Sequence, residues 1–380
     1  MNKELSRERF LRDCKDFFRD CYIELKDKKI VLFGAGSYGK LMIMGLKDIG
    51  MYDNICALCD NDKKKWGGKL ENISIRNIKD VVAEIEDFVV IISSQFDTEI
   101  RQSLAEYDLN IFERPEYEVF VEQMLSYYVY KTTIIYPTLD VYTWIGEYYD
   151  KWQNQENEVM SLMMDDESKD VVRKRIEFYK TGELKYITKM PVNYNEYFDK
   201  EYYSKIGNDE VFVDCGAYRG DTIEGFIQCV KNQYSKIYAF EPDTKNASFI
   251  AKMQSEKIKI YNYATGKEDG IMHFSALGTT GSYVTDEGEV CVEVKCLDNL
   301  ISDKVTWVKM DIEGSEYATL QGMERIIKTY KPKLAICIYH KVEDLFTIPK
   351  YIHSLVPQYK LKIRQNHDSV QEMVLYADIY

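Results

Sequence analysis

The chain contains 380 residues, 45% of them hydrophobic and 30% charged, and its net charge at pH 7 is -13. The length allows two domains plus a connecting segment, each domain with its own core. The acidic balance argues against a general phosphate-binding surface, so neither DNA nor RNA is expected as a partner.

The cysteines and the apolar runs indicate the compartment. Nine cysteines are scattered along the chain, and Cys215, Cys229 and Cys337 lie inside apolar patterns, as reduced core residues do. No apolar run reaches transmembrane length, and the charged, amphipathic N-terminus lacks the apolar stretch of a secretion signal. We therefore expect a cytoplasmic protein without a transmembrane segment.

The first predicted motif is a strand, a glycine turn and a helix near the N-terminus. Residues 29 to 33 predict a strand that leads into GAGSYG, in which Gly34, Gly36 and Gly39 complete a Gly-x-Gly-x-x-Gly pattern. Asp60 ends the next predicted strand, about where a ribose-binding acid is expected. The motif is thus a possible second nucleotide site.

Strands and helices alternate around this motif, which predicts a Rossmann-like domain at residues 1-115. A nucleotide is the ligand that such a glycine turn would bind. The same glycines are also needed simply to pack a helix against a strand, so a purely structural role stays open.

Residues 116-195 differ in character from the sequence before them. Tyrosines are frequent, glycines are few and apolar positions recur at helical spacing, which predicts a helical connector. The segment NYNEYFDKEYYSKI, residues 193 to 206, immediately precedes the next strand and could line one wall of a pocket there.

The most informative sequence is VFVDCGAYRGD at residues 211 to 221. An apolar run ends in Asp214 and gives way to two glycines, the pattern of a buried parallel strand that feeds a glycine turn. A ligand could lie against the backbone at Gly216, which has no Cβ. Asp221 and Thr222 could cap the helix that follows.

A second strand, residues 236 to 240, is followed by Glu241, whose carboxylate could accept hydrogen bonds from both hydroxyls of a ribose. With the turn, it predicts a site for an adenosyl cofactor without a pyrophosphate. A nicotinamide dinucleotide is the nearest alternative, but it requires Gly-x-Gly-x-x-Gly. Here Asp214 stands in place of the first glycine, and its charge would repel phosphate but could accept from a cationic amino group.

The rest of the chain predicts a mostly parallel sheet. Strands are expected at residues 211-214, 236-240, 258-263, 305-310 and 333-339. Residues 271 to 296 alternate with period two around a glycine-containing stretch, which predicts an inserted β-hairpin. Two further strands, YKLKIR and EMVLYA, would place an antiparallel strand in the sheet.

Four sequences carry a resemblance to a known family: VFVDCGAYRGDT, AFEPD, WVKMDIEGSEYATLQG and KPKLAICIYHK. Through them residues 196-380 resemble the FkbM family of S-adenosylmethionine-dependent methyltransferases, and MDIEGSE is the most specific element. The resemblance implies an α/β class I methyltransferase fold, a seven-stranded mixed sheet with the inserted hairpin. The N-terminal Rossmann-like domain more loosely resembles the nucleotide or sugar-nucleotide domains of sugar-modifying enzymes, through VLFGAGSYG and CDNDKKKWGG.

The resemblance also implies S-adenosylmethionine as the cofactor and assigns residues to it. They are Asp214, Gly216, Ala217 and Gly220 in the first loop, Glu241 at the ribose, Pro242 and Asp243 on the adenine side, and Ala264 and Thr265 flanking the adenine. Asp221, Thr222, Asp311 and Glu313 complete the predicted cofactor-binding set.

Family members mostly methylate hydroxyl oxygens, and a hydroxyl needs a general base. The candidates are Asp311, Glu313, Glu316 and His340. Asp311 and His340 follow strands whose carboxyl ends face the crevice, so we predict that one of these two is the base. Both glutamates also suit a helix N-terminus. Clustered carboxylates could instead hold a divalent cation such as Mg²⁺, although nothing in their spacing requires a metal.

The leading hypothesis is an O-methyltransferase that acts on a hydroxyl of a sugar, glycan precursor or natural product, as in polysaccharide biosynthesis. One alternative is an NAD- or sugar-nucleotide-dependent modifying enzyme centred on the N-terminal domain. Another is a non-catalytic cofactor-binding protein, although the intact Asp214, Gly216, Glu241 and Asp311 argue against it.

Overall fold

The computed structural model describes residues 22-48, 50-94, 97-112, 148-181, 184-187, 190-191, 197-199, 201, 203, 206-275, 283-284, 290-366 and 372-379. Contacts divide the chain into two compact units: Met1–Val141 with Thr181–Thr188, and Tyr142–Lys180 with Lys189–Tyr380. The domain boundaries expected near residues 115 and 195 lie outside the described residues and stay predictions.

The strands are β1 Lys29–Phe33, β2 Ile55–Cys59, β3 Lys69–Leu70, β4 Ile73–Arg76, β5 Phe88–Ile92, β6 Asn110–Ile111, β7 Glu210–Cys215, β8 Tyr234–Phe240, β9 Ile258–Tyr261, β10 Ala264–Thr265, β11 Gly270–Ser275, β12 Tyr283–Val284, β13 Val290–Lys295, β14 Trp307–Met310, β15 Lys333–Cys337, β16 Lys360–Gln365 and β17 Met373–Asp378. The α-helices are α1 Ser37–Asp48, α2 Ile78–Glu84, α3 Asp97–Leu104, α4 Glu156–Leu162, α5 Asp166–Thr181, α6 Asp221–Cys229, α7 Thr244–Ile250, α8 Leu297–Leu300, α9 Glu316–Gln321, α10 Glu324–Tyr330 and α11 Asp344–Leu355.

The first unit contains a six-stranded sheet in the order β3-β4-β2-β1-β5-β6. Its central strand β1 pairs in parallel with both β2 and β5, so it is hydrogen-bonded on both edges. Buried side chains from these strands, Val31, Ala57 and Val90, share a core with Val81 of α2. The apolar runs that predicted β1 and β2 thus mark strands of a parallel sheet that are buried along most of their length.

The second unit contains a seven-stranded sheet in the order β16-β17-β15-β14-β7-β8-β9. β15, β14, β7, β8 and β9 are parallel, whereas β17 is antiparallel to both β15 and β16. The late strands therefore introduce the antiparallel pairing that the sequence predicted. This mixed α/β sheet has the class I methyltransferase-like order and confirms the expected fold class.

The predicted hairpin lies in a separate four-stranded sheet of order β10-β13-β11-β12. β11 and β13 are antiparallel, with Gly270 opposite Val294 and Phe274 opposite Val290. The period-two pattern thus predicted the pairing correctly. Since β10 pairs in parallel with β13 at Ala264 and Val294, the hairpin extends from the segment that follows β9.

The start of α5 is fastened to β16 by a buried charge pair. Arg364, only 6% exposed, donates from its two terminal nitrogens to the two oxygens of Asp165, at 3.1 and 2.8 Å. Asp165 Oδ1 also accepts from the N–H of Ser168 at 2.8 Å, within the first turn of α5. Burial would raise the pKa of Asp165, but the hydrogen bonds from Arg364 and Ser168 outweigh it and lower the pKa to about 2.

Replacing Asp165 by Asn should lower the free energy of unfolding at pH 7 by about 2 kcal/mol, because the pKa of Asp165 is lowered from 3.8 to about 2. A carboxyl group whose pKa is lowered by folding stabilises the folded state at pH values above its pKa in the unfolded chain. The difference between wild type and variant should therefore be full above about pH 5 and shrink as the pH falls through the folded value. Urea unfolding at several pH values measures it.

The matched control for this prediction is Asp166→Asn, one residue further on. The Asp166 side chain is 101% exposed and contacts Lys169 at 3.4 Å, so its loss should change stability by less than about 0.5 kcal/mol. Equal effects of the two substitutions, or a difference that does not shrink in acid, would contradict the assignment.

No described helix is long and apolar enough to cross a membrane. The described cysteines, Cys56, Cys59, Cys215, Cys229, Cys291, Cys296 and Cys337, are all free thiols.

Candidate active site

Four neighbouring strands of the seven-stranded sheet end at the same edge. β8, β7, β14 and β15 are parallel neighbours in that order, so the loops after them open on one crevice. Glu241 directly follows β8, Asp214 lies near the end of β7, Asp311 directly follows β14, and His340 follows β15. The fold therefore brings the predicted cofactor residues and the predicted base to one edge of the sheet.

The loop after β7 comes into close contact with its neighbours at Gly216. Gly216 has φ +80°, and a Cβ placed on it would lie 1.9 Å from the carbonyl oxygen of Asp311. The N–H groups of Gly216 and Ala217 donate to the carbonyl of Phe240 at 3.0 and 3.1 Å. Because any side chain at position 216 would collide with the backbone of Asp311, only glycine lets the loop sit here.

Asp214 is fully buried beneath this loop and pairs with a lysine of β14. Its Oδ1 lies 3.3 Å from Nζ of Lys309, which also donates to the carbonyl of Gly216 at 2.8 Å. Burial raises the pKa of Asp214 to about 6, although Lys309 opposes the shift. The sequence suggested that Asp214 accepts from a cationic amino group of a ligand, but here Lys309 of the protein supplies the cation. Direct contact of Asp214 with a cofactor stays a prediction.

Glu241 is 7% exposed and ties two loops together. Its Oε2 accepts from the N–H of Tyr218 and its Oε1 from the N–H of Asp243, both at 2.9 Å. Burial raises the pKa of Glu241 to about 7, although these two hydrogen bonds oppose it. A carboxylate oxygen can accept two hydrogen bonds, so each oxygen keeps capacity for a hydroxyl of a ligand.

Two expectations about the neighbouring residues need correction. Neither Asp221 nor Thr222 caps α6. The N-cap position is occupied by Gly220, which has φ +94°, and Asp221 is the first residue of the helix. Asp243 caps α7 instead, since its Oδ1 accepts from the N–H groups of residues 245 and 246.

The remaining predicted cofactor residues lie in short segments after β8 and β9. Pro242 is partly exposed between Glu241 and Asp243. Thr265 in β10 is 3% exposed, and its hydroxyl lies 3.0 Å from that of Thr319. The contact with adenine predicted for Thr265 and its neighbour Ala264 stays a prediction.

The side chain of Asp311 is 29% exposed. The hydroxyl of Tyr339 donates to its Oδ1 at 3.0 Å, and that of Tyr197 to its Oδ2 at 3.4 Å. Burial would raise the pKa of Asp311, but Lys309, His340 and the Tyr339 hydrogen bond outweigh it and lower the pKa. Asp311 is therefore ionised at neutral pH and can accept a proton.

His340 is buried among three carboxylates. Its Nδ1 lies 3.1 Å from Glu316 Oε1, and its Nε2 lies 3.4 Å from Asp311 Oδ1 and 3.6 Å from Glu313 Oε2. Burial would lower the pKa of His340, but Glu316 and the other two carboxylates outweigh it and raise the pKa to about 10. An imidazolium has no free lone pair, so this charge state favours Asp311 over His340 as the base.

The two glutamates take different positions after β14. Glu313 has φ +54°, a strained conformation for a residue with a side chain, and this turn directs its carboxylate toward His340. Burial raises the pKa of Glu313 to about 7. Glu316 begins α9, as the helix-terminus interpretation expected, yet it is 0% exposed and accepts from the N–H of Ile312 at 2.9 Å. The cluster thus contains all four residues that the sequence offered as candidates for the general base.

In the first unit, Asp60 holds the glycine turn. Its Oδ2 accepts from the N–H of Ala35 at 2.8 Å and pairs with Lys65 at 2.8 Å, while Oδ1 accepts from the N–H of Asp62 at 2.8 Å. The carboxylate that was expected to bind a ribose is therefore already hydrogen-bonded to the glycine turn after β1.

Close packing explains two of the three N-terminal glycines. A Cβ on Gly34 would lie 2.4 Å from the carbonyl oxygen of Ser93, and one on Gly39 would lie 2.0 Å from that of Gly34. A Cβ on Gly36 would meet nothing within 4 Å. These contacts support the structural interpretation of the motif, and the second nucleotide site stays a prediction.

Sequence reasoning missed three residues of the site. Lys309 had a signal, because it is the single charged residue in the buried strand WVKM, and buried lysines are rare unless they are paired. Tyr197 lies in the segment that was expected to line the pocket. Tyr339 had no signal beyond its position between β15 and His340.

Comparison with known proteins supports the family resemblance. Residues 214–359 match the family model of the methyltransferase FkbM domain, and residues 26–114 match a model described as C2185-like, N-terminal. No curated protein matches the chain.

Among solved structures, the methyltransferase FkbM from Methylobacillus flagellatus KT is similar in fold. It has 19% sequence identity and a TM-score of 0.59, and the match covers 99% of this chain and 100% of that one. An rRNA methylase from Streptococcus thermophilus matches at 13% identity with a TM-score of 0.29, over 46% of this chain and 91% of that one.

The family model confirms the resemblance inferred from the motifs of the C-terminal half, and the Methylobacillus structure confirms the fold. Together they support methyltransferase activity, for which the family implies S-adenosylmethionine.

Proposed function

We propose that this chain, whose residues 214–359 form a methyltransferase FkbM domain, is an S-adenosylmethionine-dependent O-methyltransferase. Its acceptor would be a hydroxyl of a sugar, a glycan precursor or a natural product. One observation carries the proposal: the cofactor loop at Gly216 lies against the backbone of Asp311, whose ionised carboxylate opens on the same edge. A methyl donor and a proton acceptor can therefore lie side by side.

The residues present fit an adenosyl cofactor. The Cβ position of Gly216 is filled by the carbonyl oxygen of Asp311, so this glycine packs the loop after β7 against the end of β14. Glu241 is a buried carboxylate with a pKa of about 7, and each of its oxygens can accept a further hydrogen bond. Two ribose hydroxyls would supply these bonds and would favour the charged carboxylate.

When bound, S-adenosylmethionine supplies an electrophilic methyl on a sulfonium. The protein must align the acceptor hydroxyl in line with that methyl and remove its proton. We assign the proton to Oδ2 of Asp311, because Oδ1 receives the shorter hydrogen bond, from Tyr339 at 3.0 Å, and faces His340. In contrast, Oδ2 receives only the 3.4 Å bond from Tyr197. As an imidazolium, His340 would position Asp311 and balance part of the charge of the cluster.

Calorimetry with S-adenosylhomocysteine and with NAD tests the cofactor, and a methyl-acceptor screen tests the reaction. We expect S-adenosylhomocysteine to bind at one site per chain. The screen should cover nucleotide sugars, capsule and lipopolysaccharide fragments, small hydroxylated metabolites and amines. NAD binding without S-adenosylhomocysteine binding would refute the proposal, and methyl transfer to amines alone would overturn the oxygen assignment.

A further inference from the structure

Three side chains from two elements converge beside the proposed base. Asp311 and Glu316 follow β14, whereas His340 follows β15. One donor atom from each lies within 4.8 Å of the other two, so a single ion could touch all three. Two of these side chains are almost completely buried, with Glu316 0% and His340 5% exposed. Oxygen and imidazole donors so close together are the usual ligands of a divalent metal ion.

Glu316 supplies a second, independent observation. Its Oε1 accepts from the N–H of Ile312, but no described residue hydrogen-bonds its Oε2. A buried carboxylate oxygen without a partner is costly, so such an atom calls for a ligand.

The contact between Glu316 and His340 is also incomplete. Oε1 of Glu316 and Nδ1 of His340 are 3.1 Å apart but are not aligned as a hydrogen bond. This geometry suits ligands of one ion better than partners in an ion pair.

The charges near the cluster also favour a cation. Besides Asp311 and Glu316, the carboxylate of Glu313 lies 3.6 Å from Nε2 of His340. Two lysines lie nearby: Lys341 directs its ammonium to the carbonyl of Gly314, and Lys309 pairs with Asp214. The acidic groups therefore outnumber the cations that face them.

We propose that Asp311, Glu316 and His340 bind one divalent cation of the Mn²⁺ or Mg²⁺ type. The cation would take the place of the proton that His340 holds in the metal-free protein, since only a neutral imidazole can bind a metal. Its use in catalysis rests on the proposed function: a cation held at this edge would make the acceptor hydroxyl more acidic. Binding itself rests only on the three side chains.

Titration of the metal-free full-length protein with Mn²⁺ tests the site, followed by calorimetry and by loss of the free-Mn²⁺ electron paramagnetic resonance signal. We expect one ion per wild-type chain. Glu316→Gln and Asp311→Asn should each weaken binding by about 10-fold to 100-fold or more. Asp311 is partly exposed, so Asp311→Asn should fold even if the buried Glu316 variant does not.

Glu256→Gln is the matched control, because Glu256 is an exposed glutamate of the same unit, and its affinity should equal that of wild type. Absence of Mn²⁺ binding by wild type at millimolar concentration would overturn the site. Binding that survives in both ligand variants would do the same, since the ion would then lie elsewhere. Neither result depends on S-adenosylhomocysteine binding or on turnover, which test the proposed function separately.

Discussion

Replacement of Asp311 by Asn should lower kcat by about 10²-fold to 10⁴-fold, the usual contribution of a general base. The amide keeps the size of the side chain but cannot take a proton. The pKa of Asp311 is held below its ordinary value by Lys309, His340 and Tyr339 in spite of burial, so the wild-type side chain is an unprotonated carboxylate at neutral pH. Single-turnover kinetics with the acceptor from the screen measure the loss.

The affinity for S-adenosylhomocysteine separates a chemical effect from a structural one. If Asp311 acts only as the base, Asp311→Asn should change this affinity by no more than a few-fold, because its carboxylate accepts hydrogen bonds from Tyr197 and Tyr339. A larger loss would instead support the cofactor contact that the sequence predicted for Asp311. Asp209→Asn, at an exposed position before β7, should leave both quantities unchanged. A kcat within about threefold of wild type in Asp311→Asn would remove Asp311 from the role of base.

The strands were predictable because burial leaves a direct signal in the sequence. β7, β8, β14 and β15 are buried on both faces, so each appears as a short apolar run. Residues directly after such strands must meet at one edge of a parallel sheet. Glu241 and Asp311 could therefore be assigned to one crevice from the sequence.

The charge states of the site could not be predicted, since they depend on distances between segments. His340 has an ordinary reference pKa in isolation, which suggested a base. The pKa of about 10 arises although burial opposes it, because Glu316, Glu313 and Asp311 lie within 3.6 Å of the ring. Two of these carboxylates precede His340 by more than 25 residues, so only the fold brings them together.

The glycine motifs illustrate a different limit. Gly216 and Gly34 both follow a strand and both have positive φ, and in each a Cβ would collide with a carbonyl oxygen of a neighbouring segment. The same packing requirement therefore produces the same pattern whether or not a ligand binds. What differs is how many hydrogen bonds the acid already accepts. Each oxygen of Glu241 has one partner, whereas Oδ2 of Asp60 has two, Ala35 and Lys65, and only its Oδ1, with Asp62, keeps capacity for another.

Replacement of Glu241 by Ala should weaken S-adenosylhomocysteine binding by about 100-fold or more, since each hydrogen bond to a charged acceptor contributes about 1.5-3 kcal/mol. Calorimetry measures it, with Glu224→Ala, at an exposed position of α6, as the control that should bind like wild type. Loss of the carboxylate also releases the N–H groups of Tyr218 and Asp243, which could disturb the loop by itself.

An analogue of S-adenosylhomocysteine without the two ribose hydroxyls separates these causes through a double-mutant cycle. If Glu241 holds the hydroxyls, wild type should bind the analogue about 100-fold more weakly than the natural ligand, whereas Glu241→Ala should hardly distinguish the two. If the substitution only disturbs the loop, both proteins should lose the same factor when the hydroxyls are removed. An unchanged affinity in Glu241→Ala would remove Glu241 from the cofactor site, and with it the pairing with the glycine turn from which an adenosyl cofactor was inferred.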